Sequence, residues 1–347
     1  MKKSVSVSKK ASPSTSALML TVFGPGLVVM FADTDAGSII TAAQSGAQWG
    51  YKLLSLQFIL MPILFIAQEL TVRLGIVTGK GHGELIKLRF GKCWAWFSVS
   101  TLIISCVGAI LTEFSGLAGV GMLYGVPAWI VMTLVVSFLT TVVLTGSYRS
   151  VERIALLFGA FELSFFIVAW LAHPSLHDLL RDIQNVPIRD NQFLFLAAAN
   201  VGAVIMPWMV FYQQSAVVDK KLTVSHLKAA RWDTAIGAVL TQLIMLAVLV
   251  STAATIGKSN PSQPLNDIHQ IADALTPFLG SFAGKLLFSI GMTGAALIAA
   301  IVVSLTAAWT LGELTGYKHS LEHNPKEAPW FYIIYISVLV VGAIIVL

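Results

Sequence analysis

The chain consists of long apolar stretches separated by short polar segments. Most stretches hold 20 or more largely apolar residues, which is about the length a helix needs to cross a bilayer. The pattern predicts an all-helical integral membrane protein, a single membrane domain with about nine transmembrane helices. The predicted spans are residues 17–49, 52–73, 94–123, 127–147, 151–173, 192–218, 232–256, 284–312 and 330–347.

Two of these spans, the first and the sixth, carry residues that interrupt a helix near its middle. The first contains FADTDAGS (31–38), with two carboxylates in an otherwise uncharged stretch, and a charge at the bilayer centre costs about 2.5–3.5 kcal/mol. The sixth contains Pro207, which lacks an amide donor and clashes with the carbonyl of Ala203. Irregular backbone at this depth is tolerated only where it lines a cavity. Both spans are therefore predicted to be broken.

The two breaks fall at corresponding positions of two halves of the chain. Spans 1–5 (17–173) and spans 6–9 (192–347) would form two inverted repeats, the second one helix short. Discontinuous helices at such positions indicate a transporter with a substrate site at the bilayer midplane.

The residues at the breaks offer a mixed set of ligands for a cation. Asp35 supplies a charged oxygen, Ser38 a hydroxyl and Met206 a thioether, while the breaks release carbonyls near Ala32 and Ala203. This set suits a divalent cation, and the soft sulfur favours a transition metal over magnesium or calcium. A bound cation would also offset the cost of burying Asp35. The sequence therefore predicts a metal site at the midplane, with the ion as substrate and no cofactor.

Composition and charge place the chain in the membrane and give it an orientation. Hydrophobic residues make up 56% of it and charged residues only 11%, against about 25% charged in soluble domains. With the N-terminus inside, 17 of the 22 lysine and arginine residues face the cytoplasm, as the positive-inside rule requires. The net charge of +5 thus reflects topology and not a nucleic-acid partner. We expect a multi-pass protein of the inner (plasma) membrane with a disordered cytoplasmic tail (1–16).

Several segments resemble the Nramp family of divalent metal transporters. They are DAGS (35–38), GAQWGY (46–51), AQELTVRLGIVTGKGHGEL (67–85) and MPW (206–208) followed by QQSAVV (213–218). The resemblance implies the LeuT-type inverted-repeat fold. It assigns metal binding to Asp35 and Met206, and metal-facing carbonyls to Ala32 and Ala203. It also makes Glu113 the third-helix acid of a proton pathway.

The chain departs from the family pattern at positions that bear on binding and on proton coupling. Ser38 replaces an asparagine, which gives a shorter ligand, and Trp208 replaces a histidine. Asp33 is an added acid beside the site. Proton coupling is left open, and would have to run through Asp33, Asp35 or Glu113. Glu162, in span 5, is expected to pair with a polar group on a neighbouring helix.

The pattern favours a secondary transporter that imports Mn²⁺ or Fe²⁺ by alternating access. Loss of the asparagine and histidine leaves open a carrier of Mg²⁺ or another solute on the same fold. The resemblance implies a tenth helix that would complete the second repeat, and its absence here leaves open a non-transporting or truncated remnant. An intramembrane aspartyl enzyme fits poorly, because paired catalytic aspartates within three residues of each other have the wrong geometry, and no enzyme is expected. The oligomeric state is not fixed by the sequence.

Overall fold

The structure, a computed structural model, describes residues 22–145, 147–259, 265, 270–271 and 283–347. These residues form helices and connecting segments, with no strand among them. The predicted tail (1–16) and the first residues of predicted span 1 (17–21) lie outside the described residues. The helices are α1 (Pro25–Asp33), α2 (Ala36–Trp49), α3 (Leu54–Thr78), α4 (His82–Phe90), α5 (Lys92–Leu123), α6 (Ala128–Leu144), α7 (Tyr148–Phe161), α8 (Ser164–Leu171), α9 (Leu176–Gln184), α10 (Asn191–Val204), α11 (Pro207–Asp219), α12 (Leu227–Ala254), α13 (Ile256–Ser259), α14 (Ala283–Thr315) and α15 (Pro329–Val346).

The number of apolar segments agrees with the prediction. Seven helical segments of the described chain are long and apolar enough to cross a membrane, and α1 with α2 forms an eighth that is bent by 50° at its break. α6 is a shorter apolar helix of 17 residues. The described residues therefore contain eight such segments and one shorter apolar helix, which together correspond to the nine predicted spans. Helix ends differ from the predicted spans by a few residues, because polar residues such as Lys92 and Tyr148 continue the helices beyond the apolar stretch.

The broken first span lies at the centre of the bundle. α12 packs against α1, α2 and α3, while α14 packs against α1, α5, α7 and α15. The side chains of α1 from Val28 to Ala32 are almost completely buried as a result. The two half-helices of span 1 are thus held by helices from the second half of the chain.

Two glycines allow α1 and α12 to approach closely. A Cβ on Gly26 would lie 2.7 Å from the amide nitrogen of Thr234, and one on Gly237 would lie 2.7 Å from the side chain of Met30. Across this contact the Thr241 hydroxyl donates to the carbonyl of Met30. Small residues that let backbones meet are the usual means of helix association in membranes, because lipid provides no hydrophobic drive.

The outer helices present apolar side chains outward. Ile104 on α5, Leu134 on α6 and Trp170 on α8 are 72%, 64% and 79% exposed. Such side chains would be costly on a soluble protein but match a hydrocarbon surrounding. The described bundle is therefore built to face lipid.

Candidate metal site

Asp35 stands at the break in the first span, where it caps the second half-helix. α1 ends at Asp33, Thr34 turns the chain, and Asp35 adopts an extended backbone (φ −63°, ψ 171°) as the N-cap of α2. Its Oδ1 accepts a hydrogen bond from the Ser38 amide at 2.7 Å. Such a cap satisfies one of the amides that the first turn of a helix leaves unpaired. The cap therefore fixes the direction of the Asp35 carboxylate.

Met206 stands at the break in the sixth span in a matching position. α10 ends at Val204, and Met206 has an extended backbone (φ −92°, ψ 140°) as the N-cap of α11. Pro207 is the first residue of α11, where its missing amide proton costs nothing because that position has no intrahelical acceptor. Both predicted breaks are thus present, each with a candidate ligand in the unwound turn.

The two breaks meet. The Ser38 hydroxyl donates to the Ala203 carbonyl at 3.3 Å, joining the first turn of α2 to the last turn of α10. Asp35, Ser38, Ala203 and Met206 line one cavity of about 330 Å³. Ala32, the fifth predicted ligand, is fully buried in the last turn of α1 and is not part of the cavity lining. Hydroxyls at the rest of the wall come from Thr41, Ser105 and Thr112.

Few of the residues that line this cavity carry a charge. Among the described residues, no group of three or more His, Cys, Asp or Glu side chains is placed to hold a metal ion. The four candidates instead combine one carboxylate with a hydroxyl, a carbonyl and a thioether. Trp208 also lines the cavity. The family pattern described above has a histidine, with an ionisable imidazole, at this position.

Comparison with known proteins assigns the family. Residues 26–347 match the profile of Nramp, described as natural resistance-associated macrophage protein-like. The chain belongs to the Nramp family. Among curated relatives, the divalent metal cation transporter MntH of Klebsiella pneumoniae (strain 342) is 27% identical over 311 residues, which are 86% of this chain and 73% of that protein. MntH of Yersinia pestis (strain Pestoides F) is 28% identical over 299 residues, 83% of this chain and 71% of the relative.

Solved structures show the same fold. The manganese transporter of Eremococcus coleocola, in complex with an aromatic bis-isothiourea substituted compound, superposes with a TM-score of 0.74 at 18% identity, covering 96% of this chain and 73% of that one. A Na⁺-coupled sialic acid symporter in a substrate-bound outward-open state gives a TM-score of 0.69 at 12% identity, covering 95% and 78%. The expected LeuT-type fold is confirmed. The division of this chain into two inverted repeats stays a prediction.

In this Nramp chain, the two predicted proton-pathway acids lie beside the break but outside the cavity lining. Glu113 on α5 is fully buried, and its Oε2 accepts a hydrogen bond from the Ala36 amide at 3.1 Å. Asp33 is 2% exposed, and its Oδ1 has no hydrogen-bond partner among the described residues. Glu113 therefore holds the start of α2, in the same turn that Asp35 caps, while Asp33 is an uncompensated polar group next to it.

Glu162 is a fourth acid at this break, and its place there was not predicted. It follows α7, and its Oε2 contacts the Thr34 hydroxyl at the break itself. The Thr34 hydroxyl also lies 2.7 Å from the carbonyl of Phe31. The hydroxyl of Thr34 is thus the donor that faces both the Glu162 carboxyl and the Phe31 carbonyl, as in a three-centre hydrogen bond. The polar partner expected for Glu162 is thus a residue of the broken turn.

The beginning of α1 is held by charged groups from three other segments. Asp233 on α12 accepts hydrogen bonds from the amides of Gly24 (3.2 Å), Gly26 (2.7 Å) and Leu27 (3.4 Å). Lys220, after α11, donates to the carbonyl of Phe23 at 2.9 Å and pairs with Glu152 at 2.8 Å. We refer to Glu152, Lys220 and Asp233 as the α1 anchor. The sequence signalled it only as isolated charges at the ends of apolar spans.

Proposed function

We propose that this protein is a secondary transporter that carries a divalent transition-metal ion, Mn²⁺ or Fe²⁺, through the cavity at the two breaks. One observation supports the proposal most: the breaks meet, so that Asp35, Ser38, Ala203 and Met206 line the same cavity. A carboxylate and a carbonyl bind any divalent ion, and the thioether favours a transition metal. The Nramp relatives are named as divalent metal cation transporters, which is consistent with this cargo.

The proposal includes an orientation and a direction of transport. With the N-terminus in the cytoplasm, α1 and α11 form the cytoplasmic halves of the broken spans, and α2 and α10 the outer halves. Thr41 and Ala199, on the outer half-helices, belong to the cavity wall. On the cytoplasmic side, α1 is buried against other helices and held by the α1 anchor. The ion then enters from outside and leaves after α1 moves. The membrane potential favours entry, because two positive charges crossing 100 mV gain about 4.6 kcal/mol.

The acids around the break supply charge for the ion and define the proton-coupling hypothesis. We place Asp33 and Glu113 on the proton pathway, because both are buried beside Asp35 and each has an oxygen without a partner among the described residues. We propose that the ion crosses unchanged and that the protein uses no resident cofactor. The membrane is the plasma (inner) membrane.

Uptake of ⁵⁴Mn²⁺ into proteoliposomes tests the site. Asp35→Asn removes the charge while keeping the shape, and we expect uptake to be lost. Met206→Leu keeps the volume and removes the sulfur, so that Mn²⁺ should lose its advantage over Mg²⁺ in competition. Met209→Leu is the matched control, because Met209 is a buried methionine of α11, the helix that Met206 caps, and does not line the cavity. Undiminished uptake by Asp35→Asn would remove the site assignment.

Proton coupling is tested in the same vesicles by imposing a pH gradient. We expect an inward proton gradient to accelerate Mn²⁺ uptake in the wild type, and Glu113→Gln and Asp33→Asn to weaken that acceleration. Uptake that ignores the gradient in the wild type would remove the coupling and leave the metal site in place.

Mg²⁺ is a second candidate, supported by the hydroxyl groups of the cavity wall. Thr41, Ser105 and Thr112 add hydroxyl oxygens to a space of about 330 Å³. Mg²⁺ keeps several of its waters when bound, and such oxygens can accept hydrogen bonds from them. Under this alternative Met206→Leu would leave the rates for both ions unchanged.

A further inference from the structure

A groove between α3 and α12 lies on the outer surface of the bundle, away from the substrate cavity. It has a volume of about 290 Å³ and is lined by Phe65 of α3 and by Lys228, Arg231, Trp232 and Ala235 of α12. The seven residue steps from Lys228 to Ala235 rise about 10 Å along the helix. The groove therefore has a cationic end and an apolar end.

The cationic end carries more positive charge than its neighbours neutralise. Glu69 on α3 accepts from Arg73 at 2.7 Å and from Nε of Arg231 at 2.9 Å, so one carboxylate serves two guanidinium groups. Lys228 has no carboxylate partner among the described residues. The side chain of Arg231 is half exposed. An anion at this end would thus meet one unpaired ammonium and one guanidinium already oriented by Glu69.

The apolar end continues along the helix surface toward the middle of the bilayer. Trp232, Ile236, Val239 and Leu243 are 53%, 44%, 47% and 36% exposed, and their spacing of four, three and four residues places them on one face of α12. A tryptophan between a charged level and an apolar stripe is typical of the membrane interface.

We propose that this groove binds one anionic phospholipid, with its phosphate between Lys228 and Arg231 and an acyl chain along Ile236 and Val239. The order of chemistry matches that of the lipid: anion first, then the interfacial ring, then hydrocarbon. A free phosphate ion would use only the cationic end. Basic pockets between transmembrane helices on the cytoplasmic side suit anionic headgroups, and the predicted orientation puts Lys228 on that side.

Native mass spectrometry of the purified protein with phosphatidylglycerol and with phosphatidylcholine tests the proposal. We expect tighter binding of phosphatidylglycerol. Lys228→Gln should raise its dissociation constant about fivefold, and the double change with Arg231→Gln about twentyfold. Phosphatidylcholine should respond to neither change. If Arg231→Gln does not fold, the dissociation constant measured for Lys228→Gln alone decides the test.

Arg89→Gln is the matched control, because Arg89 is an exposed cation on α4 outside the groove and, by the predicted topology, on the same membrane side. It should leave the binding unchanged. An equal effect of Arg89→Gln and Lys228→Gln would show general charge attraction and overturn the site. Displacement of phosphatidylglycerol by millimolar inorganic phosphate would likewise overturn it, in favour of a phosphate site.

Discussion

Removing the carboxylate of Asp233 should release α1. Asp233 is 1% exposed and joins α12 to the first turn of α1 through three amides that have no acceptor within their own helix. Those amides also form the positive end of the helix dipole. In Asp233→Ala the amides are left to water, which they can reach only if α1 moves away from α12.

The size of the effect follows from the three contacts. The bond to Gly26 at 2.7 Å is short, and those to Gly24 and Leu27 are 3.2 and 3.4 Å. A hydrogen bond to a charged group contributes about 1.5–3 kcal/mol net, and the two longer bonds add little beyond the cost of burying the carboxylate. The population with α1 released should therefore rise about 10- to 100-fold, since 1.4 kcal/mol is a factor of about ten.

Cysteine accessibility measures this population. Val29 lies in α1 and is fully buried, so a cysteine there reacts with a membrane-impermeant maleimide only while α1 is released. Its rate is then proportional to the released fraction. The exposed native Cys93 would first be replaced by serine. Val29→Cys should react about 10- to 100-fold faster when combined with Asp233→Ala.

Asp190→Ala is the matched control. Asp190 also caps a helix, accepting from Gln192 and Phe193 at 2.8 and 3.1 Å, but it does so within its own segment and joins no second helix. It should leave the labelling rate at Val29→Cys unchanged. Equal rates in the Asp233→Ala and Asp190→Ala proteins would refute the anchor.

Three further predictions concern stability, each measured by unfolding of the purified protein. Glu162→Gln keeps an oxygen that can accept from the Thr34 hydroxyl and should unfold like the wild type, whereas Glu162→Ala should lose about 1–3 kcal/mol. Equal losses in the two variants would contradict a contact that only needs an acceptor oxygen. Gly46→Ala would put a Cβ 2.2 Å from the carbonyl oxygen of Leu249 and should lower the free energy of unfolding by about 1–3 kcal/mol. Gly202→Ala has nothing within 4 Å of its Cβ and should raise it by about 0.5–1 kcal/mol. An increase in both variants would contradict the close packing at Gly46. Burial lowers the pKa of His82 from its ordinary 6.5, so the unfolded chain binds more protons than the folded one near that pH. The free energy of unfolding should therefore fall as the pH drops below about 6.5. His82→Gln should make this dependence on pH weaker, and an unchanged dependence would assign it to other groups.

The parts of the structure that could be predicted depend on local chemistry. Pro207 cannot continue a hydrogen-bonded helix, and the acids of FADTDAGS cannot face lipid, so both breaks were visible in the sequence. The number of apolar segments could also be predicted, because the length of an apolar stretch is a local property of the sequence. That Asp35 and Met206 would line one cavity followed from the corresponding positions of the breaks.

The parts that could not be predicted depend on partners far apart in sequence. Asp233 meets Gly26 across 207 positions, and Glu162 meets Thr34 across 128. A lone acid in an apolar span signals that a partner exists, but only the packing of the helices shows which residue it is. Ala32 shows that closeness in sequence is not enough: it lies next to the break along the chain but is not part of the cavity wall.

One consequence follows from the fact that Asp35 is the cap of α2. The carboxylate points into the cavity only while the peptide at Thr34 stays unwound. If Asp35 joined the first turn of α2, its backbone would have to leave the extended conformation of a cap (φ −63°, ψ 171°), and its side chain would lose the bond from the Ser38 amide. The proposed ion site therefore requires the break in the first span, and a continuous first helix would remove the geometry on which that proposal depends.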